Sequence, residues 1–476
     1  MGTSNELRVE DLDPATLLVD INVRHDARLD ADFLASIREH GVLIPIVAVR
    51  TSDGQVRVRH GHRRTLAAVE AQRDSVPVVV IGEDGDSDAD QVTRLLTQYA
   101  ENTHRAGLTT SEQVDVFTQL AAFGLTPGQI ARRTRARKAD VTAALAVADS
   151  DLAKAASDRY EFLTLDQAAT VADFDYDTDA VKALVAAAKR GQFDHVAQRL
   201  RDERDRDRAA ARLTEVLTDA GVPVIEQPDY TDKKVTALGD LSHDGQPLTE
   251  ETHADCPGRA AYIRPAWTDA LVQSVHVCTD PRAHGHTDRH GGATKAAGSL
   301  TEQEKADRAR VRENNTAWRS AETVRRDWLR AFIGRKTAPK DAASLVATAV
   351  ASGDHALRRA LERSHPLGRD LLGITASEVG WGSGARELRA AVDQASPARA
   401  QMITLGLILA ALEDATGVHT WRNPDGATRR YLRYLVANGY TPADVEGLVI
   451  DSDDEADDAH GEPNDDEAET GDASAA

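Results

Sequence analysis

Between residues 13 and 82 the apolar positions switch between helical and strand periods. Asp30-Ala31-Asp32 leads into Phe33-Leu34-Ala35-Ser36-Ile37, where Phe33, Leu34 and Ile37 share one helical face and Gly41 ends the pattern. Ile44–Val49 reads as a strand, Thr51–Gly54 as a turn and Gln55–Arg59 as its hairpin partner. A glycine-led helix follows over Gly61–Ala68, then Val76–Ile81, an apolar run of the buried-strand type. Gly82–Asp90 is acidic and loop-like, and from Gln91 to about Arg212 nearly every segment has helical spacing. Alternating Asp and Arg over Arg199–Arg212 predict a solvated helix or linker, since opposite charges at helical spacing support each other. Strand signals return at Val222–Ile225, Ala261–Ile263 and Val275–Cys278, and Gly285–Gly298 reads as a histidine- and glycine-rich linker. Ser299-Leu300-Thr301-Glu302 is a capping-box start to a long helix, whose stripe of Ala317, Ala321, Val324, Trp328 and Phe332 is expected in a core.

These elements predict an α+β multidomain protein. A small α/β domain is expected at 10–106, and a helical domain at 107–212 with a helix-turn-helix at 124–148. A small mixed module follows at 213–290, then a helical C-terminal domain at 299–448 and a tail at 449–476. A chain of 476 residues exceeds one ordinary core. No apolar run spans a membrane, and Met1–Glu6 has neither a basic start nor an apolar segment behind it, so a cytoplasmic protein is expected.

Charge changes the picture locally. The formal charge is −21, but Asp451–Ala476 holds twelve acidic residues and no Lys or Arg. That tail has too few apolar residues to offset its ordering entropy and is expected to be disordered. Thr126–Ala148, in contrast, carries Arg132, Arg133, Arg135, Arg137 and Lys138 against Asp140 alone. The local patch decides phosphate attraction, because screening confines it to roughly 8–10 Å at physiological salt.

Within that patch, Thr126–Thr134 reads as a capped helix with proline in its first turn, Arg135–Arg137 as the turn, and Lys138–Leu145 as a second helix. Ile130, Ala131, Val141, Ala144 and Leu145 pack the two together, and small Ala131 permits a close crossing. Gln129, Arg132, Arg135, Arg137, Lys138 and Thr142 are the candidate DNA-binding residues. The basic side chains position the protein on phosphates, and any of Arg137, Lys138 or Thr142 that reaches a base edge specifies sequence. A plain helical hairpin is the competing reading.

Gly61-His62-Arg63-Arg64 sits after a strand and opens a helix, where backbone N–H groups and the helix dipole favour an anion and two arginines add planar donors. About forty residues on, Glu101-Asn102-Thr103-His104-Arg105 offers hard oxygens suited to magnesium and a guanidinium suited to phosphate. Taken singly, each is an ordinary polar turn or helix. Together they suit a triphosphate.

The order Asn22-Val23-Arg24, Phe33–Ile46, Gly61–Arg64, Glu101–Arg105 and Leu108–Glu112 resembles the N-terminal domain of the ParB partition family. The resemblance implies a ParB/sulfiredoxin-like fold and a CTP-binding clamp, with Gly61, His62, Arg63 and Arg64 at the phosphates, Glu101 and Asn102 near Mg2+ and Arg105 on the triphosphate. It places Gly41–Val47 around the nucleotide pocket. It also implies a homodimer on double-stranded DNA with a specific centromere-like site, a ParA-type ATPase as partner, and association with nucleoid or plasmid DNA. Two positions depart from the family's pattern: Ile44 stands where glutamine is common and His62 where glutamate is common. Nucleotide binding is therefore expected rather than efficient CTP hydrolysis, and no catalytic residue is assigned. The alternatives are a site-specific transcriptional regulator with this fold and no nucleotide switch, and an enzyme of the sulfiredoxin kind, which would need cysteine where this chain has His62.

One further cluster involves the two cysteines. His253-Ala254-Asp255-Cys256 precedes one strand and Cys278 ends another, with His284 and His286 behind it. If the strands pair, Cys256 and Cys278 meet, and His253 with His284 or His286 completes a tetrahedral Zn2+ site. The alternative is a metal-free module with buried thiols and a histidine-rich loop.

Overall fold

The computed structural model describes residues 9–19, 29–51, 53–83, 87–105, 107–228, 234–266, 271–289, 301–375 and 383–452. Asn22–Arg24, the linker from 290 and the acidic tail from 453 lie outside them. The chain divides into two compact units, Met1–Phe193 and Asp194–Ala476. Residues 10–106 and most of 107–212 fall in the first unit.

The first unit begins with β1 (Val9–Leu12), α1 (Ala31–His40), β2 (Ile46–Arg50), β3 (Val56–His60), α2 (His62–Glu70) and β4 (Val76–Glu83). Asp30 caps α1 by accepting the Phe33 amide at 2.7 Å, and Gly41 ends it at φ 71°. The sheet order is β1-β4-β2-β3, with β2 parallel to β4 and the other neighbours antiparallel. Ile37, Ile46, Ala48, Val58, Ala67, Ala68, Val76 and Val78 fill the space between sheet and helices. Strand β1 was not expected, because Glu10 and Asp11 dilute its apolar pattern at the edge of the sheet.

Seven helices follow in this unit: α3 (Asp88–Arg105), α4 (Thr110–Ala122), α5 (Pro127–Thr134), α6 (Lys138–Ala148), α7 (Asp151–Arg159), α8 (Leu165–Ala172) and α9 (Thr178–Lys189). Helix α3 buries Val92, Leu95 and Tyr99, whose ring lies 5.4 Å from that of Phe117 on α4.

All but the first residue of α10 (Phe193–Asp219) belongs to the second unit. The Asp–Arg segment expected to be simply solvated lies in this helix, and Asp202 accepts a 2.6 Å hydrogen bond from Ser320. The mixed module comprises β5 (Thr236–Ala237), β6 (Leu241–His243), β7 (Gln246–Pro247), β8 (Arg259–Pro265), β9 (Val272–Cys278) and β10 (Thr287–Asp288), arranged as two sheets ordered β10-β6-β7 and β5-β9-β8. The strand expected at Val222–Ile225 is reduced to a single bridge from Val224 to Ala261, since Pro223 has no amide to donate to a ladder.

The rest of the unit is helical: α11 (Glu302–Ile333), α12 (Ala342–Ala351), α13 (His355–Glu362), α14 (Pro366–Leu371), α15 (Ser383–Asp393), α16 (Pro397–Ala415), α17 (Gly426–Ala437) and α18 (Asp444–Ile450). The capping box of α11 is Thr301 with Glu304. It sits two residues beyond the Ser299–Glu302 box, because Thr301-x-x-Glu304 satisfies the same spacing. The buried face of α11 is also rotated from the expected stripe: Trp318, Ala321, Leu329 and Phe332 are buried with Arg325 among them, whereas Ala317, Val324 and Trp328 are partly covered. These residues pack with Met402, Leu405 and Leu409 of α16 and Tyr431, Leu432 and Leu435 of α17. Among the described residues, no helix is long and apolar enough to cross a membrane.

Candidate nucleic-acid interface and anion site

Thr126 begins α5 with a complete capping box: it caps the Gln129 amide, and the Gln129 side-chain oxygen accepts the Thr126 amide at 2.8 Å. Arg135 ends the helix at φ 59° and ψ 21°, a left-handed conformation that a glycine would adopt without strain. The turn Arg135–Arg137 leads into α6, which begins at Lys138. Ile130, Ala131, Val141 and Ala144 are buried between neighbouring helices as expected, Leu145 is half-buried, and Val147 is fully buried. Gln129, Arg132, Arg133, Arg135, Arg137, Lys138 and Thr142 are all exposed. Three of them have part of their chemistry engaged, Thr142 donating its hydroxyl to the Lys138 carbonyl at 3.1 Å. The Gln129 carbonyl serves the cap, and Arg137 donates from Nε to Asp140 at 2.9 Å and from Nη2 at 2.5 Å.

The arginine motif lies at the N-terminus of α2. Gly61 holds φ 105°, a backbone conformation that favours glycine, and a Cβ there would crowd Arg64 Nη2 at 3.2 Å. Having no side chain, Gly61 supplies no cap to the first turn of α2, which leaves the positive helix end for another acceptor. His62 is buried. Arg63 donates to Asp30 and its guanidinium lies 4.6 Å from the Phe33 ring centre. The Phe33 amide and then the Arg63 guanidinium hold the Asp30 carboxyl below its ordinary pKa. Arg64 donates to the Ile44 carbonyl, and to the Pro45 carbonyl at 3.0 Å.

From α3, Glu101 reaches this site: its Oε2 lies 2.6 Å from His60 Nδ1 at the end of β3. Asn102 follows Glu101 on α3, partly exposed, and Arg105 is the last residue of that helix, with a side chain outside the described residues. Gly61, Arg64 and Glu101 therefore gather at one end of the sheet, whereas Arg63 points to the start of α1. The sequence reading missed Asp30, Phe33 and His60 as partners of the motif. His60 stands directly before Gly61, but strand alternation alone does not signal a polar contact 41 residues away.

In the second unit, β8 and β9 pair antiparallel with Arg259 opposite Cys278. This brings together His253, Cys256, Cys278 and His286, whose candidate ligand atoms all lie within 4.8 Å of one another. The fourth member is His286 in place of His284. Both follow β9, but Cys256 Sγ lies 3.4 Å from His286 Nε2, while His284 lies beside Gly258. Burial pushes the Cys278 thiol up to about 11 and lowers His253 and His286 below the ordinary histidine value, which favours the neutral imidazole.

Residues 2–92 match the family model of the ParB N-terminal domain. A probable chromosome-partitioning protein ParB from Treponema pallidum (strain Nichols) is 31% identical over 115 residues, which is 24% of this chain and 34% of that protein. The chain thus spans about a third of the length of that curated relative. Among solved structures, C-terminally truncated chromosome-partitioning protein ParB from Caulobacter crescentus, complexed to the centromeric parS site, is similar at 20% identity over 38% of this chain and 92% of that one, with a TM-score of 0.27. The same protein complexed with CTP-gamma-S gives 25% identity over 38% and 98% of the two chains and a TM-score of 0.17. A Pnob8-like ParB-N domain gives 16% identity over 40% and 89%, with a TM-score of 0.27.

Proposed function

We propose that this chain is a ParB-like DNA-binding protein of plasmid or chromosome partition. It binds a centromere-like site in double-stranded DNA through α5 and α6, and binds CTP at the α2 N-terminus. The observation that carries the reading is the pairing, within one unit, of a match to the ParB N-terminal domain with a capped two-helix turn whose basic side chains are all exposed. The identity to a probable chromosome-partitioning protein supports the same reading. Arg132, Arg135 and Lys138 supply phosphate contacts, and Lys138 and Thr142 on α6 face the groove.

Gly61 and the first turn of α2 suit the phosphates, with Arg64 and Arg63 adding donors. A donor set of Glu101 and Asn102 fits magnesium, which takes oxygen ligands and leans on substrate phosphates. His60 competes for Glu101 at 2.6 Å, so the metal enters with the nucleotide and displaces that contact. His62 and Ile44 favour binding over rapid turnover. The protein acts as a homodimer on nucleoid or plasmid DNA, with a ParA-type ATPase as its partner.

The test is CTP binding and hydrolysis, with and without candidate duplexes, for the wild type and Arg64→Ala. CTP should bind, and Arg64→Ala should weaken it by about tenfold or more, the effect of a lost charge-assisted hydrogen bond. No CTP binding under any condition sinks the clamp. That outcome favours a transcriptional regulator with this fold, a reading supported by the contacts of Arg63 and Arg64 with their own chain.

A further inference from the structure

The Cys–His cluster of the second unit shares no residue with the proposed DNA and nucleotide sites, and it is built from three separate stretches of chain. His253 and Cys256 sit on the turn before β8, where the Cys256 amide donates to the His253 carbonyl at 3.2 Å. Cys278 closes β9, and the following loop returns through the Pro281 carbonyl, which accepts the His286 amide at 2.8 Å. The two turns are locked side by side, since the Thr279 amide donates to the Gly258 carbonyl at 2.9 Å.

Three of the four histidine ring nitrogens in the cluster lack a hydrogen-bond partner. His253 is 1% exposed, yet neither of its ring nitrogens has a hydrogen-bond partner, and Nδ1 of His286 is likewise buried without one. Buried polar atoms are normally satisfied, so two histidines left this way beside two free thiols call for an acceptor of their lone pairs. Space on the Gly258 side of the cluster is tight. A Cβ on Gly258 would lie 2.7 Å from Cys278 Sγ and 2.6 Å from His284 Cδ2, so glycine is needed for the two turns to approach. The small core around the cluster, formed by Leu238, Leu241, Leu248 and Cys278, is far smaller than that of the helical region and would gain from a cross-link.

We infer that His253, Cys256, Cys278 and His286 form a structural zinc site, a tetrahedral set of two thiolates and two imidazoles that staples the β8–β9 hairpin to the loop leading into β10. Zinc bonds of about 2.0–2.3 Å imply edges of about 3.3–3.8 Å between ligand atoms, so the observed spread of 4.8 Å closes by roughly one ångström, within the reach of side-chain rotation. Four protein ligands leave no open position, which makes the site structural and not catalytic. On binding, each thiol loses its proton to solvent and the thiolate charge is neutralised by the cation, while the neutral imidazoles bind as they are. His284 is excluded from the set and lines it from the Gly258 side. His243 holds the loop from outside, its Nδ1 lying 3.1 Å from the Gly285 carbonyl oxygen.

The experiment measures metal content of the purified full-length protein, followed by cobalt(II) replacement. About one zinc per chain is expected, and cobalt should give the intense visible bands and thiolate charge transfer of a tetrahedral site with two sulfurs. Cys278→Ser and His286→Ala should lose the metal, while His284→Ala should keep it. Because the cysteine variant can misfold, the cobalt spectrum of the wild type stands as an independent readout. Absence of both zinc and the cobalt bands overturns the inference, as does a disulfide between Cys256 and Cys278, or metal loss in His284→Ala but not in His286→Ala. None of these readouts involves DNA or CTP, so the inference and the partition reading fail separately.

Discussion

Arg137 and Arg325 both meet carboxylates from helical positions, and they show what each unit does with a charge. Arg137 stands just before α6 with its side chain 75% exposed, and its bond to Asp140 reaches into the first turn of that helix. Arg325 is fully buried on α11. It donates to Glu413 from Nε at 2.8 Å and from Nη2 at 3.1 Å, and to Glu446 from Nη1 at 2.6 Å. Tyr431 donates to Glu413 at 2.9 Å and Tyr440 to Glu446 at 2.8 Å, so both carboxylates are bonded from several sides. The surrounding carboxylates hold Arg325 firmly charged in spite of its burial, and burial raises both tyrosines far above their ordinary range. An exposed pair exchanges readily with water and phosphate. A buried one joins three helices, and opening it strands charges in an apolar core.

The largest effect that tests this contrast is Arg325→Met. It leaves Glu446 buried without its cation and Glu413 with Arg326 alone, at 3.7 Å, and should cost about 3–5 kcal/mol in urea unfolding of the second unit. A loss below about 1 kcal/mol would mean that the network is dispensable and that the two arginines differ only in exposure. Next comes Arg135→Gly, which removes the left-handed strain at the helix turn and should stabilise the first unit by about 1 kcal/mol. A destabilised variant would show that the Arg135 side chain contributes more than its backbone conformation costs. Smallest is Asp140→Asn, which should change stability by under about 0.5 kcal/mol, since an exposed ion pair contributes little. The same change releases Arg137 and should tighten DNA binding, most visibly at low salt. Weaker binding would show that Asp140 orients Arg137 toward the duplex.

The same contrast explains what was legible in the sequence. Elements with one covered face announced themselves: α1, β2, β3, α2 and β4 follow the expected periods, and Thr126, Pro127 and Arg135–Arg137 bound α5 and α6 as read. The buried face of α11 did not, because an arginine at its centre counts as polar in any hydrophobic pattern. Its partners Glu413 and Glu446 lie 88 and 121 residues away, beyond any local signal. Strand β1 was hidden by Glu10 and Asp11, which an edge strand tolerates. The choice between His284 and His286 rested on a loop, and the β9 exit turn, not spacing, decides which ring faces Cys256.

The contacts of Arg63 and Arg64 give the α2 N-terminus a second role, as a competition between ligand and chain. Arg63 is held by Asp30 and Phe33, and Arg64 by the carbonyls of Ile44 and Pro45. An anion that recruits these guanidiniums does so by taking them from the start of α1 and the segment before β2. Its apparent affinity is then the intrinsic affinity scaled by the fraction of molecules in which the arginines have already let go. By the same linkage, occupancy is reported some distance from the phosphates, in faster amide exchange at Phe33 and around Ile44.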